Sequence, residues 1–138
     1  MYLIDTNVIS ELRKKDKANA GVRAFFYKAQ QQEYLLFVSA ITIGELRRGV
    51  DMIRHRGDKQ QAEILEDWLK TILIEYADNI LDFTSVEAQV WGRLRVPHHE
   101  NAIDKQIAAT ALSHNLMLVT RNMEDFIATG VKLINPFT

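Results

Sequence analysis

The chain has 138 residues, 47% hydrophobic and 25% charged, with 17 basic and 18 acidic side chains and a formal net charge of −1. That length suits a single domain spanning 1–138, with a core large enough to need no disulfide or metal staple. The absence of cysteine excludes disulfides, thiol nucleophiles and zinc–thiolate sites and fits a reducing cytoplasm, and the near-balanced charge argues against a protein that coats nucleic acid non-specifically.

Met1-Tyr2-Leu3-Ile4 runs straight into Asp5, with no basic lead, and no apolar run approaches the ~18 residues of a membrane span. No membrane contact is expected. Short apolar runs at Tyr2–Ile4, Leu35–Val38, Ile80–Phe83, Leu116–Val119 and Lys132–Ile134 read as strands. Between them lie three helical stripes: Leu46, Val50 and Ile53; Ile64, Leu65, Leu69 and Ile72; and Val86, Val90 and Leu94. Gly57-Asp58 is the turn of a helical hairpin, and Pro97 stops the third helix before an exposed loop, Pro97-His98-His99-Glu100-Asn101. There is no repeat, low-complexity segment or linker. Alternating strand and helix with near-continuous apolar strands predicts an α/β fold, a parallel sheet covered on both faces.

Each acid near a strand end has a bland explanation. Asp5 reads as a helix N-cap, and Glu45 as the acid of a capping box begun by Thr42. Asp104 follows Asn101 by three residues, and Asp125 follows Asn122 by three, both cap-like spacings. Two features outweigh this. Asp5, the Ser39–Glu45 segment and Thr120–Asn122 all fall just past strand ends, the edge where open parallel sheets bind ligands. Asp104 shares a helical stripe with Ala108, Ala111 and Leu112, and a pure cap has no need to face a core.

Two carboxylates ~5 Å apart at an effective dielectric near 20 repel by about 3 kcal/mol. Three such pairs would approach the 5–15 kcal/mol that stabilises a small domain. Protons or a cation must relieve them. An all-oxygen donor set suits Mg²⁺ or Mn²⁺, which would orient a water, lower its pKa and neutralise charge growing on a phosphate.

Four segments in order then resemble a known family: Leu-Ile-Asp-Thr-Asn-Val-Ile-Ser-Glu, Ser-Ala-Ile-Thr-Ile-Gly-Glu-Leu-Arg-Arg-Gly, Asp-Lys-Gln-Ile-Ala-Ala-Thr-Ala and Leu-Val-Thr-Arg-Asn. They are similar to PIN domains, and most to the VapC/FitB-type toxins of toxin–antitoxin pairs, over nearly the whole chain to Asn135-Pro136-Phe137. The resemblance implies Mg²⁺-dependent endoribonuclease activity, a homodimer and a small inhibitory antitoxin. It implies that Asp5 and Asp104 hold the metal, that Glu45 completes the acidic cluster and that Thr120 organises it, with Asn7 in support. Where many relatives carry a fourth acid this chain has Asn122, which can offer only an amide oxygen; Asp125 could stand in for it but reads better as support for the adjacent turn.

Arg47, Arg48, Arg54, Arg56 and Lys59 read mainly as a solvated helix face. Arg47 and Arg48 lie near enough to Glu45 to contact RNA phosphates, with Arg93, Arg95, Lys105 and Arg121 as further candidates. His98 and His99 read as an exposed loop pair, and Trp68 and Trp91 as core or dimer packing. Two other functions compete. In an aspartate phosphotransferase Asp5 would be the nucleophile, but Asn7 cannot act as its general acid. A degenerate PIN domain that only binds a partner is favoured by Asn122 and opposed by the three intact acids.

Overall fold

Five short strands alternate with helices in the computed structural model, which describes residues 1–138. Strands β1 (Tyr2–Ile4), β2 (Leu36–Ser39), β3 (Ile80–Leu81), β4 (Met117–Val119) and β5 (Leu133–Ile134) form one parallel sheet in the order β3-β2-β1-β4-β5. Each occupies an apolar run of the sequence, with ends displaced by at most two residues. The largest displacement has a visible cause: Phe83 leaves the edge strand to meet Trp91 edge to face, with centroids 6.3 Å apart.

Helices α1 (Thr6–Leu12) and α2 (Ala20–Gln31) connect β1 to β2, and α3 (Ala40–His55) and α4 (Lys59–Glu75) connect β2 to β3. Helices α5 (Ser85–Leu94) and α6 (Ala102–Ser113) then carry the chain back across β1 to β4, and α7 (Met123–Phe126) precedes β5. The first two crossovers run outward and the later ones run the opposite way. Right-handed crossovers therefore place the two groups of helices on opposite faces.

The strands show this directly. Ile4, Val38 and Val119 join a core with Val8, Val22, Leu46 and Leu69 from α1–α4. Their neighbours Leu3 and Leu118 point the other way, into a second core with Ile107, Ala108 and Phe126. Period-two alternation thus serves two buried faces at once. The switch in direction falls between β1 and β4, the position at which open parallel sheets form a ligand crevice beyond the strand ends.

The predicted hairpin forms at Gly57, whose φ of +93° suits a residue without Cβ, and Asp58 caps α4 by accepting from the Gln61 N–H at 3.1 Å. Two stripe residues do not face a core. Ile64 is 56% and Val86 62% exposed, while Leu65, Leu69 and Ile72 are buried. Both lie at the edge of their stripe, where a turn of 3.6 residues carries a side chain off the packed face. In α5 the one buried residue is instead Glu87, whose carboxylate accepts from the Thr84 hydroxyl at 2.8 Å.

The segment after β5 is fastened to α2. Asn19 caps α2 through Gly21 and Val22 N–H groups, accepts from the Thr138 N–H at 3.1 Å and donates to the Thr138 carbonyl at 3.1 Å. Gly21 is a glycine because a Cβ there would meet the Pro136 carbonyl oxygen and the Thr138 side chain. Gly21→Ala should lower stability by about 1–3 kcal/mol through overpacking. Urea unfolding should show a lower midpoint at unchanged slope.

Candidate active site

The site begins with Asp5, the first residue past the central strand and only 3% exposed. Register places Ile4 beside Val119, and the Asp5 N–H donates to the Val119 carbonyl at 2.9 Å, which brings Thr120 level with Asp5. The Thr120 hydroxyl donates to Asp5 Oδ2 at 2.7 Å. Asn7 Nδ2 approaches the same oxygen at 3.3 Å, and the Thr6 N–H donates to Oδ1 at 2.8 Å as α1 begins. Asp5 is therefore an N-cap as expected, but one whose second oxygen is held from the far side of the crevice.

Asn7 and Thr120 carry the same network outward. Asn7 Oδ1 accepts from the Arg121 N–H at 3.1 Å, and the Thr120 hydroxyl oxygen accepts from the Asn122 N–H at 3.0 Å. The loop after β4 is thus tied to the first turn of α1. A further tie crosses to α3, where the Thr6 hydroxyl donates to the Thr42 hydroxyl at 3.1 Å. Nothing in the local pattern singled out this contact: Thr42 read as a capping residue, and Thr6 is simply the first residue of α1.

The capping explanations for the other acids fail. Ser39 caps α3 through the Ile41 N–H, so Thr42 sits inside the helix and Glu45 belongs to no capping box. Asn101 precedes α6 in the left-handed region, with φ of 56°, and makes no side-chain cap. Asn122 makes none at the start of α7 either. Glu45 and Asp104 are half-buried, and Asn122 and Asp125 exposed.

Their electrostatics show where these acids meet. Burial raises the Asp5 carboxyl above its ordinary value against the opposing bonds from Thr120, Thr6 and Asn7. The Asp104 carboxyl is pushed up to about 6, first by burial and then by the charges of Asp5, Asp125 and Glu45. The structure thus brings three acids from three other segments to act on Asp104, four acids in all. Asp125 is one of them, ahead of Glu45 in its effect. No three acidic or imidazole side chains close into a ready-made ion cage. The donors available are all oxygens, the chemistry that hard divalent ions such as Mg²⁺ accept. Asp5 also retains acceptor capacity, since three donors occupy a carboxylate with about four lone-pair sites.

The basic residues divide. Arg47 turns away from Glu45 and grips Glu66 on α4 through two bonds, at 2.8 and 2.6 Å, while Arg54 joins the same carboxylate at 3.1 Å. These guanidinium groups hold Glu66 down at about 2. The expected phosphate contact by Arg47 gives way to a tie between α3 and α4; the signal was Glu66, whose partner only the hairpin reveals. Arg48 and Arg121 remain exposed at the site's flank. Lys105 is buried and donates to the His98 carbonyl at 2.5 Å, bracing the loop before α6. Trp91 Nε1 donates to the Ala102 carbonyl at 3.0 Å in the same brace. His98 and His99 are exposed and pair with Glu100.

A carboxyl raised in the folded state stabilises that state most below its unfolded value, and the benefit fades as pH climbs through the folded value. Metal-free protein should therefore lose stability between about pH 4 and pH 6 on account of Asp104. Asp104→Asn should flatten that decline, matching wild type near pH 4 and exceeding it at pH 7 in thermal melts without divalent ions.

Comparison with known proteins agrees with this architecture. The PIN domain family model matches residues 2–132. The chain is 34% identical to toxin FitB of Neisseria gonorrhoeae over 99% of both chains. It is 32% identical to the VapC ribonuclease Y4jK of Sinorhizobium fredii, over 99% of this chain and 98% of that protein. The crystal structure of FitAcB from Neisseria gonorrhoeae superposes with a TM-score of 0.82 at 32% identity, over 99% of this chain and 98% of that one. This chain belongs to the PIN domain family and is a member of its VapC/FitB toxin type.

Proposed function

We propose that this protein is a magnesium-dependent endoribonuclease that acts as the toxin of a toxin–antitoxin pair in the cytoplasm. The observation that carries the reading is that Asp5, Asp125 and Glu45 bring their charges to bear on Asp104 where the sheet changes direction, with Asp104 raised to about 6 first by burial and then by those charges. Structural acids are not gathered at such a cost without a counter-charge. Kinship with toxin FitB and a VapC ribonuclease supports the choice of substrate and role.

In this reading Asp5 and Asp104 hold the ion, Glu45 completes the cluster, and Asn122 offers an amide oxygen. Asp125 supplies the fourth negative charge that Asn122 cannot. Bound Mg²⁺ or Mn²⁺ supplies an activated water and neutralises charge that builds on the phosphate. Thr120 and Asn7 fix the Asp5 carboxylate before substrate arrives, and Arg48 and Arg121 meet the RNA backbone. Asp5→Asn and Asp104→Asn should each remove most RNA cleavage while preserving the fold. Wild-type products should carry 5′-phosphate and 3′-hydroxyl ends, and EDTA should stop their formation. Cyclic-phosphate ends that persist in EDTA would transfer the chemistry to His98 or His99.

Such an activity needs silencing in the cell that makes it. Beside the acids, a cavity of about 250 Å³ lined by Thr6, Glu45, Val50 and Trp68 adjoins one of about 540 Å³ lined by Lys14, Lys15, Ile64 and Trp68. The two share Arg13, Leu65 and Trp68, so they form one groove with an acid at one end and bases at the other. An antitoxin segment with an apolar stretch on Ile64 and Trp68 and an Arg at Glu45 fits this groove, since a guanidinium pairs well with a carboxylate. The active protein pairs with a second copy of itself. Expression alone should arrest growth, and the small gene beside it should restore growth. Ile64→Asp should defeat that rescue while leaving RNA cleavage by the purified protein unchanged.

A further inference from the structure

Of the cations close in sequence to the site residues, Arg48 is exposed, and Arg47, Lys105 and Arg121 are each engaged elsewhere in the structure. Arg47, two residues after Glu45, is bound to Glu66. Lys105, next to Asp104, is bound to the His98 carbonyl. Arg121 stands between Thr120 and Asn122, the most central position of the three, yet its guanidinium lies over the Phe137 ring, 4.8 Å from the centroid. Its charge acts on Glu11, while the charges acting on Asp104 are all negative.

Arg47 and Lys105 are held by direct hydrogen bonds. Arg121 is exposed and its guanidinium rests on a ring face, while its backbone N–H is bound to Asn7, which also touches Asp5. A free guanidinium at this point would find carboxylates suited to its planar fork, and an internal Arg–carboxylate pair would compete with a divalent ion for the same oxygens. We propose that Phe137 is a positioning residue that seats Arg121 away from the acidic cluster and so keeps the carboxylates open to a divalent cation. The seat is itself fixed: Asn19 clasps Thr138, and Gly21 gives Pro136 and Thr138 the room they need. The ring packs partly against the first core, so its position does not depend on Arg121.

The proposal rests on the metal reading of the acidic cluster, and the test separates the two. Mn²⁺ is titrated by calorimetry, at low ionic strength, into wild type, Phe137→Leu, Phe137→Tyr, Arg121→Gln and the Arg121→Gln/Phe137→Leu double variant, with thermal melts to verify folding. Leucine keeps apolar bulk without the ring face, and tyrosine keeps the face. Phe137→Leu should weaken Mn²⁺ binding by about fourfold or more, the factor that Coulomb's law in bulk water gives for a unit charge ~10 Å from a divalent ion. Phe137→Tyr should bind as wild type. The double variant should bind as tightly as Arg121→Gln alone, because no guanidinium remains to compete. Unchanged affinity in Phe137→Leu overturns the seat, and so does weak binding that persists in the double variant, since the ring would then act only through structure. Wild type that takes up no Mn²⁺ would instead overturn the metal reading, and the seat with it.

Discussion

Asp5 carries a carboxylate at the end of the central strand, almost wholly removed from water. Removing a charge from water costs several kcal/mol unless hydrogen bonds replace the lost hydration. Here the replacement comes from both sides of the crevice: Thr6 and Asn7 from the first turn of α1, and Thr120 from a loop 115 residues further along. The Thr120 bond exists only because β4 lies beside β1. The sheet order, the closure of the crevice and the aim of the Asp5 oxygens are therefore one constraint, and Asn7 extends it to the loop that carries Arg121 and Asn122.

Around that anchor the fold accumulates negative charge and leaves it uncompensated. Glu45 arrives on α3, Asp104 on α6 and Asp125 on α7, each from an element that packs on the sheet for apolar reasons. Three nearby cations are committed to other partners: Arg47 to a bidentate grip on Glu66 that joins two helices, Lys105 to the His98 carbonyl and Arg121 to the Phe137 ring. In the function proposed above, a divalent ion would relieve this repulsion, and an inhibitory arginine would meet the same like charges.

Much of the architecture was legible in order and spacing. Five apolar runs became five strands, because a strand buried on both faces must be apolar throughout. Gly57-Asp58 marked the helical hairpin, because a left-handed turn and a cap are local requirements. Asp5, Glu45 and Asp104 stood out because each follows a strand or lies on an apolar stripe. Ile64 and Val86 misled, since periodicity tells which side of a helix is apolar but not how much of that side a neighbour covers.

Tertiary structure decided which polar groups meet. Capping boxes at Thr42 and Asn101 were consistent with spacing, yet Ser39 took the first role and a left-handed Asn101 removed the second. Asn122 and Asp125 differ by three positions in sequence, but it is Asp125 whose charge acts on Asp104. Arg47 beside Glu45 reads as a phosphate ligand until the hairpin brings Glu66 to it. The physical reason is the same in each case. Local sequence sets dihedral preference, burial pattern and caps within a few residues, whereas charge and hydrogen-bond partners are chosen by distance in space, and that distance follows from sheet order.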